Sequence, residues 1–202
     1  ELEGLLGTLV EKALLLEVEE GRFDLQPLVA QYATERLEAD PDFKQRLESW
    51  HADFFKERLK NLEAENPGEQ MNTAGDLQQE IDNLRQAWGW GVAHADITVL
   101  GESQGGLAIF YTQCNLTKQG AAAFQSAANA IRPLAAIENP GGKRKALLAE
   151  LYMQLGRFQL RLGKSEEASK NIQEAIQLAR ALHDPKLQSN ILKSLGDLPF
   201  DL

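Results

Sequence analysis

The feature that most constrains this chain is a Leu-Gly pair on helical spacing, Leu155-Gly156, that is repeated at Leu195-Gly196, 40 residues on. The first pair follows Tyr152 and precedes Gly163, Ala168, Ile172 and Ala175. An aromatic residue, a small residue mid-helix, a glycine at a tight turn and then small-large-small on a second helix describe a close-packed helical hairpin. Small residues at Gly156 and Ala168 let two helices approach, while Leu155 and Ile172 fill the space beside them. Leu107-Ala108, Tyr111, Gly120, Phe124 and Ala127 fit the same template more loosely, with the extra length falling in the turn-rich run Glu138-Asn139-Pro140-Gly141-Gly142. Repetition at such a period implies stacked units that bury a continuous core. The repeats are expected at 101–136 and 143–181, with a truncated third from 184, opened by Asp184-Pro185.

Ahead of the repeats, apolar positions keep helical spacing from about residue 40, with no period-2 stretch. Asp40-Pro41 supplies an N-cap acceptor and a proline whose missing N–H costs nothing in a first turn. The stripe that follows is Phe43, Leu47, Trp50 and Phe54, continued by Phe55, Leu59 and Leu62. Glu65-Asn66-Pro67-Gly68-Glu69 ends this helix, and a second is expected near Thr73, with Asp76 in a capping-box position and Leu77, Ile81, Leu84, Trp88 and Val92 on one face. Residues 41–95 therefore read as a helical linker hairpin, in which Trp88 and Trp90 are either buried or form an exposed patch. The first forty residues differ. A helix over Leu2 to Lys12 precedes two short apolar runs, Leu14-Leu15-Leu16 and Phe23-Asp24-Leu25, around Glu19-Glu20-Gly21-Arg22, and Pro27 opens a helix to about Leu37. Helix, hairpin, helix is the order in which a winged-helix domain ends. The expected architecture is mainly α: a superhelix of helical hairpins in 96–202 with a small winged-helix remnant in 1–40.

Charge excludes several partners. With 21 basic against 30 acidic side chains the net charge is −9, a field that repels phosphate backbones and anionic lipid heads. The candidate DNA-reading helix, Leu2 to Lys12, carries Glu1, Glu3 and Glu11 at or beside it and one lysine, the wrong chemistry for a major groove. No nucleic acid and no membrane is expected as a direct partner, since no run approaches the ~20 apolar residues that span a bilayer. One cysteine, Cys114, cannot form an internal disulfide and suits a reducing, cytoplasmic setting. The start Glu1-Leu2-Glu3 has neither an initiator Met nor a signal peptide's order, as in an internal piece of a longer protein.

The hairpin pattern is that of a tetratricopeptide (TPR) repeat, and the chain as a whole resembles the STAND-type signalling ATPases and bacterial transcriptional regulators, in which a nucleotide-binding domain and a winged helix precede a TPR sensor arm. Gly21-Arg22-Phe23-Asp24-Leu25-Gln26-Pro27-Leu28-Val29 with Gln31-Tyr32-Ala33 resembles the end of that winged helix. Trp50-His51-Ala52-Asp53-Phe54-Phe55 and Glu80-Ile81-Asp82-Asn83-Leu84-Arg85-Gln86-Ala87-Trp88 resemble the first part of the arm. The resemblance implies a non-catalytic module that relays partner binding to an ATP/ADP switch upstream in the same chain. It also assigns nucleotide sensing to position 26, where this chain has Gln26 in place of the family's common histidine; glutamine still hydrogen-bonds but carries no charge. No G-x-x-x-x-G-K-[ST] phosphate loop occurs, so no cofactor is expected within these residues.

Catalytic and metal chemistry finds little support in the sequence. His51, His94 and His183 stand far apart with no ligand at i+3 or i+4, and Cys114 reads as a small buried hydrophobe. Gly101-Glu102-Ser103-Gln104-Gly105 has the letters of a nucleophile elbow in a helical context, where an elbow needs a strand before it. Lys143-Arg144-Lys145 reads as a solvated helix entry. What remains is the inner face of the repeats, which stacking turns into a concave surface for a peptide or a protein partner. Glu150, Met153, Arg157 and Arg161, off the packing stripe of one helix, and Asn190 and Lys193 on the next are the candidate partner-binding residues. Arg, Asn and Lys there would suit an acidic segment or a carboxylate terminus. Two other readings compete: a free-standing TPR adaptor with no ATPase, and a small helical enzyme with its site between hairpins, which would need a perturbed-pKa pair in a pocket that the sequence does not offer.

Overall fold

The computed structural model describes residues 2–19, 21–137 and 142–196. They are mainly helical, ten helices and one two-stranded hairpin, and divide into two compact units at Glu48/Ser49, eight residues past Asp40.

The first unit runs α1 (Leu2–Glu11), β1 (Leu15–Glu19), β2 (Arg22–Leu25), α2 (Pro27–Glu38) and the opening turns of α3 (Pro41–Ala64). Ala13, at φ 54°, ends α1, and the Leu14 N–H closes back on the Leu9 carbonyl at 2.9 Å. The strands pair antiparallel, Leu15 opposite Leu25 and Glu17 opposite Phe23, with an irregularity between Glu17 and Glu19 and left-handed Gly21 at the turn. Asp40 caps α3 as expected, its Oδ1 accepting the Phe43 N–H at 3.0 Å. No described side chain of this unit is fully buried; Leu5, Leu28 and Tyr32 are among those that face solvent.

The second unit holds the core. After α3 come α4 (Pro67–Gln78), α5 (Ile81–Ala93), α6 (Ile97–Gln113), α7 (Thr117–Ala135), α8 (Lys143–Arg161), α9 (Ser165–Ala181) and α10 (Pro185–Gly196). Helices α6 and α7 pack as one pair and α8 and α9 as another; α7 also lies on α8, and α8 is flanked by α6 and α10. The turns repeat one device. Ala95, Asn115, Gly163 and His183 all take positive φ just past a helix end, and the N–H groups of Asp96, Leu116 and Lys164 reach back to the Gly91, Tyr111 and Gln159 carbonyls at 2.9 Å. This satisfies carbonyls that the helix end would leave bare.

Two expectations need correction. Residues 41–95 form three helices rather than a hairpin of two: α4 starts at Pro67, capped by Asn66 Oδ1, so Thr73 lies inside it, and the chain breaks again at Gln79-Glu80. The α3 stripe also splits. Ala52, Phe55, Leu59 and Leu62 are buried, whereas Phe43, Leu47, Trp50 and Phe54 are exposed. The buried face is set where α3 crosses α6: a methyl at Gly106 would lie 1.9 Å from the Leu59 carbonyl oxygen, so the two backbones are in direct contact. Trp88 is buried and donates its indole N–H to the Ala123 carbonyl at 3.1 Å, while half-buried Trp90 stacks on His94.

The 143–181 hairpin packs as its residues imply. Tyr152, Leu155, Ala168, Ile172 and Ala175 are buried, and a methyl on Gly156 would meet Ile172 Cγ1 at 2.6 Å. Gly120 stands in the same relation to Phe158 across α7 and α8. The loop 138–141 and the side chain of Leu195 lie outside the described residues.

Candidate functional site

One face of α8 is built at helical spacing. Glu150, Met153, Gln154, Arg157 and Arg161 follow at steps of three, one, three and four residues, which places them along a single side. The opposite side packs on α7 and α9, so this face is left to α6 and α10. Together they enclose a cavity of about 410 Å³ lined by Glu150, Met153, Arg157 and Arg161 of α8 and by Asn190 of α10. Five of the six sequence-derived positions therefore meet at one place. The sixth, Lys193, belongs to α10, but its side chain lies outside the described residues. Gln26, in the first unit, is half-buried directly before α2 and makes no cap hydrogen bond to that helix.

One residue has a different role from that expected. Met153 is not off the packing stripe: only 3% exposed, it belongs to the core and lines the cavity beside residues of α6 and α10. Leu187 and Ile191 of α10 extend this apolar floor.

A polar seam joins α8 to α6 along the cavity. The Gln154 side-chain amide donates to Gln104 Oε1 at 3.0 Å, and Arg161 Nη1 donates to Thr112 Oγ1 at 2.8 Å. Arg157 Nη1 lies 3.5 Å from Gln154 Oε1. The other end is acidic. Glu63 of α3 reaches in with its carboxylate pressed on Gly105, where a methyl would lie 2.1 Å from the carboxyl carbon. Partial withdrawal from water raises the pKa of its carboxyl from its ordinary value. Glu150 is pushed up to about 7, first by burial and then by the negative charges of Glu63 and Asp184. A carboxyl poised near neutrality can hold or release a proton, and when ionised it favours an incoming cation.

Sequence reasoning missed Glu63, Gln70, Gln104 and Thr112, which come from α3, α4 and α6. Their arrival depends on the α3–α6 crossing, and the available signal was Gly105-Gly106, two glycines inside a helix where each costs ~1 kcal/mol unless a close approach needs it.

Of the remaining candidates, His51 and Cys114 lie outside the cavity lining, whereas the run 101–105 contributes Gln104 and Gly105 to it. Gly101 to Gly105 lie within α6, and the buried Ser103 hydroxyl donates to the Val99 carbonyl, so no nucleophile elbow forms. His51 packs on Phe55, and Cys114, half-buried, places its thiol 3.5 Å from the Ala74 carbonyl with a pKa raised by burial. Among the described residues no three His, Cys, Asp or Glu side chains converge to hold a metal ion, and no helix is long and apolar enough to cross a membrane. Comparison with known proteins finds no matching family model, no matching curated protein and no matching solved structure.

Proposed function

We propose that this chain is a non-catalytic interaction and sensor arm of a multidomain STAND-type regulatory ATPase, with TPR-like hairpins from residue 96 and the end of a winged helix before residue 41. The observation that carries this reading is the cavity itself: Glu150, Met153, Arg157, Arg161 and Asn190, chosen for repeat geometry, line one groove between α6, α8 and α10. A protein or peptide partner docks there and shifts the arm against a nucleotide-binding domain upstream in the cytoplasmic parent protein, a population shift rather than chemistry. The solvent-facing apolar side chains of the first unit suit an end piece that packs against the rest of its own domain.

The test has two parts. Reading the coding sequence on both sides of this segment should reveal a phosphate-binding loop upstream and further repeats downstream; absence of the loop leaves a free-standing adaptor. Arg157→Glu with Arg161→Glu should abolish partner capture by the parent protein while the far-ultraviolet helical signal persists. Unchanged capture refutes the groove.

A second reading, a small helical enzyme, draws on Glu150, whose carboxyl near 7 beside Glu63 resembles a general acid or base. It expects turnover that survives removal of residues 1–40 and disappears in Glu150→Gln.

A further inference from the structure

The groove along α8 carries charge of both signs, and the signs are separated along the helix. Glu150 stands seven residues before Arg157 and eleven before Arg161, which at the helical rise is about 10 Å and about 16 Å. Glu63 enters from α3 at the acidic end, and Arg161, oriented by Thr112, stands at the basic end. Between them the floor is apolar, made by Met153 and Ile191. The charges that act on Glu150 are Glu63 and Asp184, both negative, so burial and repulsion together penalise its ionised form. An entering cation reverses that penalty. A metal ion is a poor fit, because among the described residues no three ligating side chains converge. A basic side chain needs only the two carboxyls, and the chain's net charge of −9 draws it in.

An extended peptide advances about 3.3 Å per residue, so about three residues cover the distance from Glu150 to Arg157 and about five the distance to Arg161. We infer that the groove takes an extended peptide segment of mixed charge from a partner protein: one basic side chain enters between Glu63 and Glu150, and a carboxylate about three to five residues away reaches the arginine end of the groove, from Arg157 to Arg161. The inference rests on the reading of this face as an interaction groove and changes the class of occupant, from the acidic segment that the arginines alone imply to one that must also carry a lysine or arginine.

The experiment is selection from a phage-displayed random heptapeptide library on the intact chain, on a variant with Glu63→Gln and Glu150→Gln, and on a variant with Arg157→Ala and Arg161→Ala. Circular dichroism verifies that each is folded. The expected result is enrichment of peptides with Lys or Arg about three to five positions from an acidic residue. A synthetic copy of the leading peptide should bind the glutamine variant about tenfold more weakly in titration calorimetry, and replacing its basic residue by glutamine should erase that difference. Enrichment of acidic or apolar peptides that depends on the arginines alone overturns the mixed-charge occupant and leaves the groove reading standing. Enrichment independent of both variants, or no enrichment, overturns both.

Discussion

At the scale of single residues, Glu150 is the side chain whose behaviour departs most from its type. Its carboxyl stands at about 7 in the folded chain against an ordinary 4.5. A raised carboxyl pKa means that the folded state holds its proton more tightly than the unfolded state does. Its contribution to stability is therefore fully present below the ordinary carboxylate range and lost as pH rises through about 7. Urea unfolding across pH 4.5 to 8 should show a loss on the order of 1–3 kcal/mol in that window. Glu150→Gln should flatten the profile and stabilise the chain at pH 8; a profile unaltered by the substitution would mean that Glu150 ionises freely. Glu63 bends the same curve in the same direction. None of this was legible in the sequence, where Glu150 looks like one more charged residue on a helix. Its burial comes from α6 and α10, and its repulsion from residues 87 positions before it and 34 after it.

At the scale of elements, what the sequence reveals is what neighbouring residues decide. Asp40 and Asp184 announce helix starts because a cap is a contact over three residues, and both carboxylates accept the expected backbone N–H. Asn66-Pro67, read from the sequence only as a helix end, also opens one: Asn66 Oδ1 accepts the Gly68 and Glu69 N–H groups at 3.2 Å and 3.1 Å, seven residues before the expected start at Thr73. The break at Gln79-Glu80 carries neither glycine nor proline and has no local signature. The α8 and α10 sides of the groove follow from repeat spacing, whereas the α3 and α6 sides depend on a crossing that no periodicity encodes. That crossing sets the element-scale prediction. Gly106→Ala should cost at least ~1–3 kcal/mol because the obstacle is the Leu59 backbone, which cannot rotate away. Gly89→Ala, in α5 with nothing within 4 Å, should instead gain ~0.5–1 kcal/mol from helix propensity. Chemical denaturation of the two single variants checks the opposite signs.

At the scale of the whole molecule, all fully buried side chains among the described residues fall at or beyond Ala52. A chain beginning at Ser49 should therefore melt cooperatively within a few degrees of the full-length protein, and residues 1–48 alone should give little helical signal. A large drop in the midpoint would place essential packing ahead of the division.

The position of α8 has a mechanical consequence. It packs against α6, α7, α9 and α10 and buries ten of its nineteen residues, Met153 in the groove floor among them. Such a helix is an anvil: it cannot shift without disturbing nearly everything around it. On the proposed function, an occupant of the groove would act on the shorter α10, whose main packing among the described residues is on α8 and α9, and displacement at that edge is the movement this proposal requires.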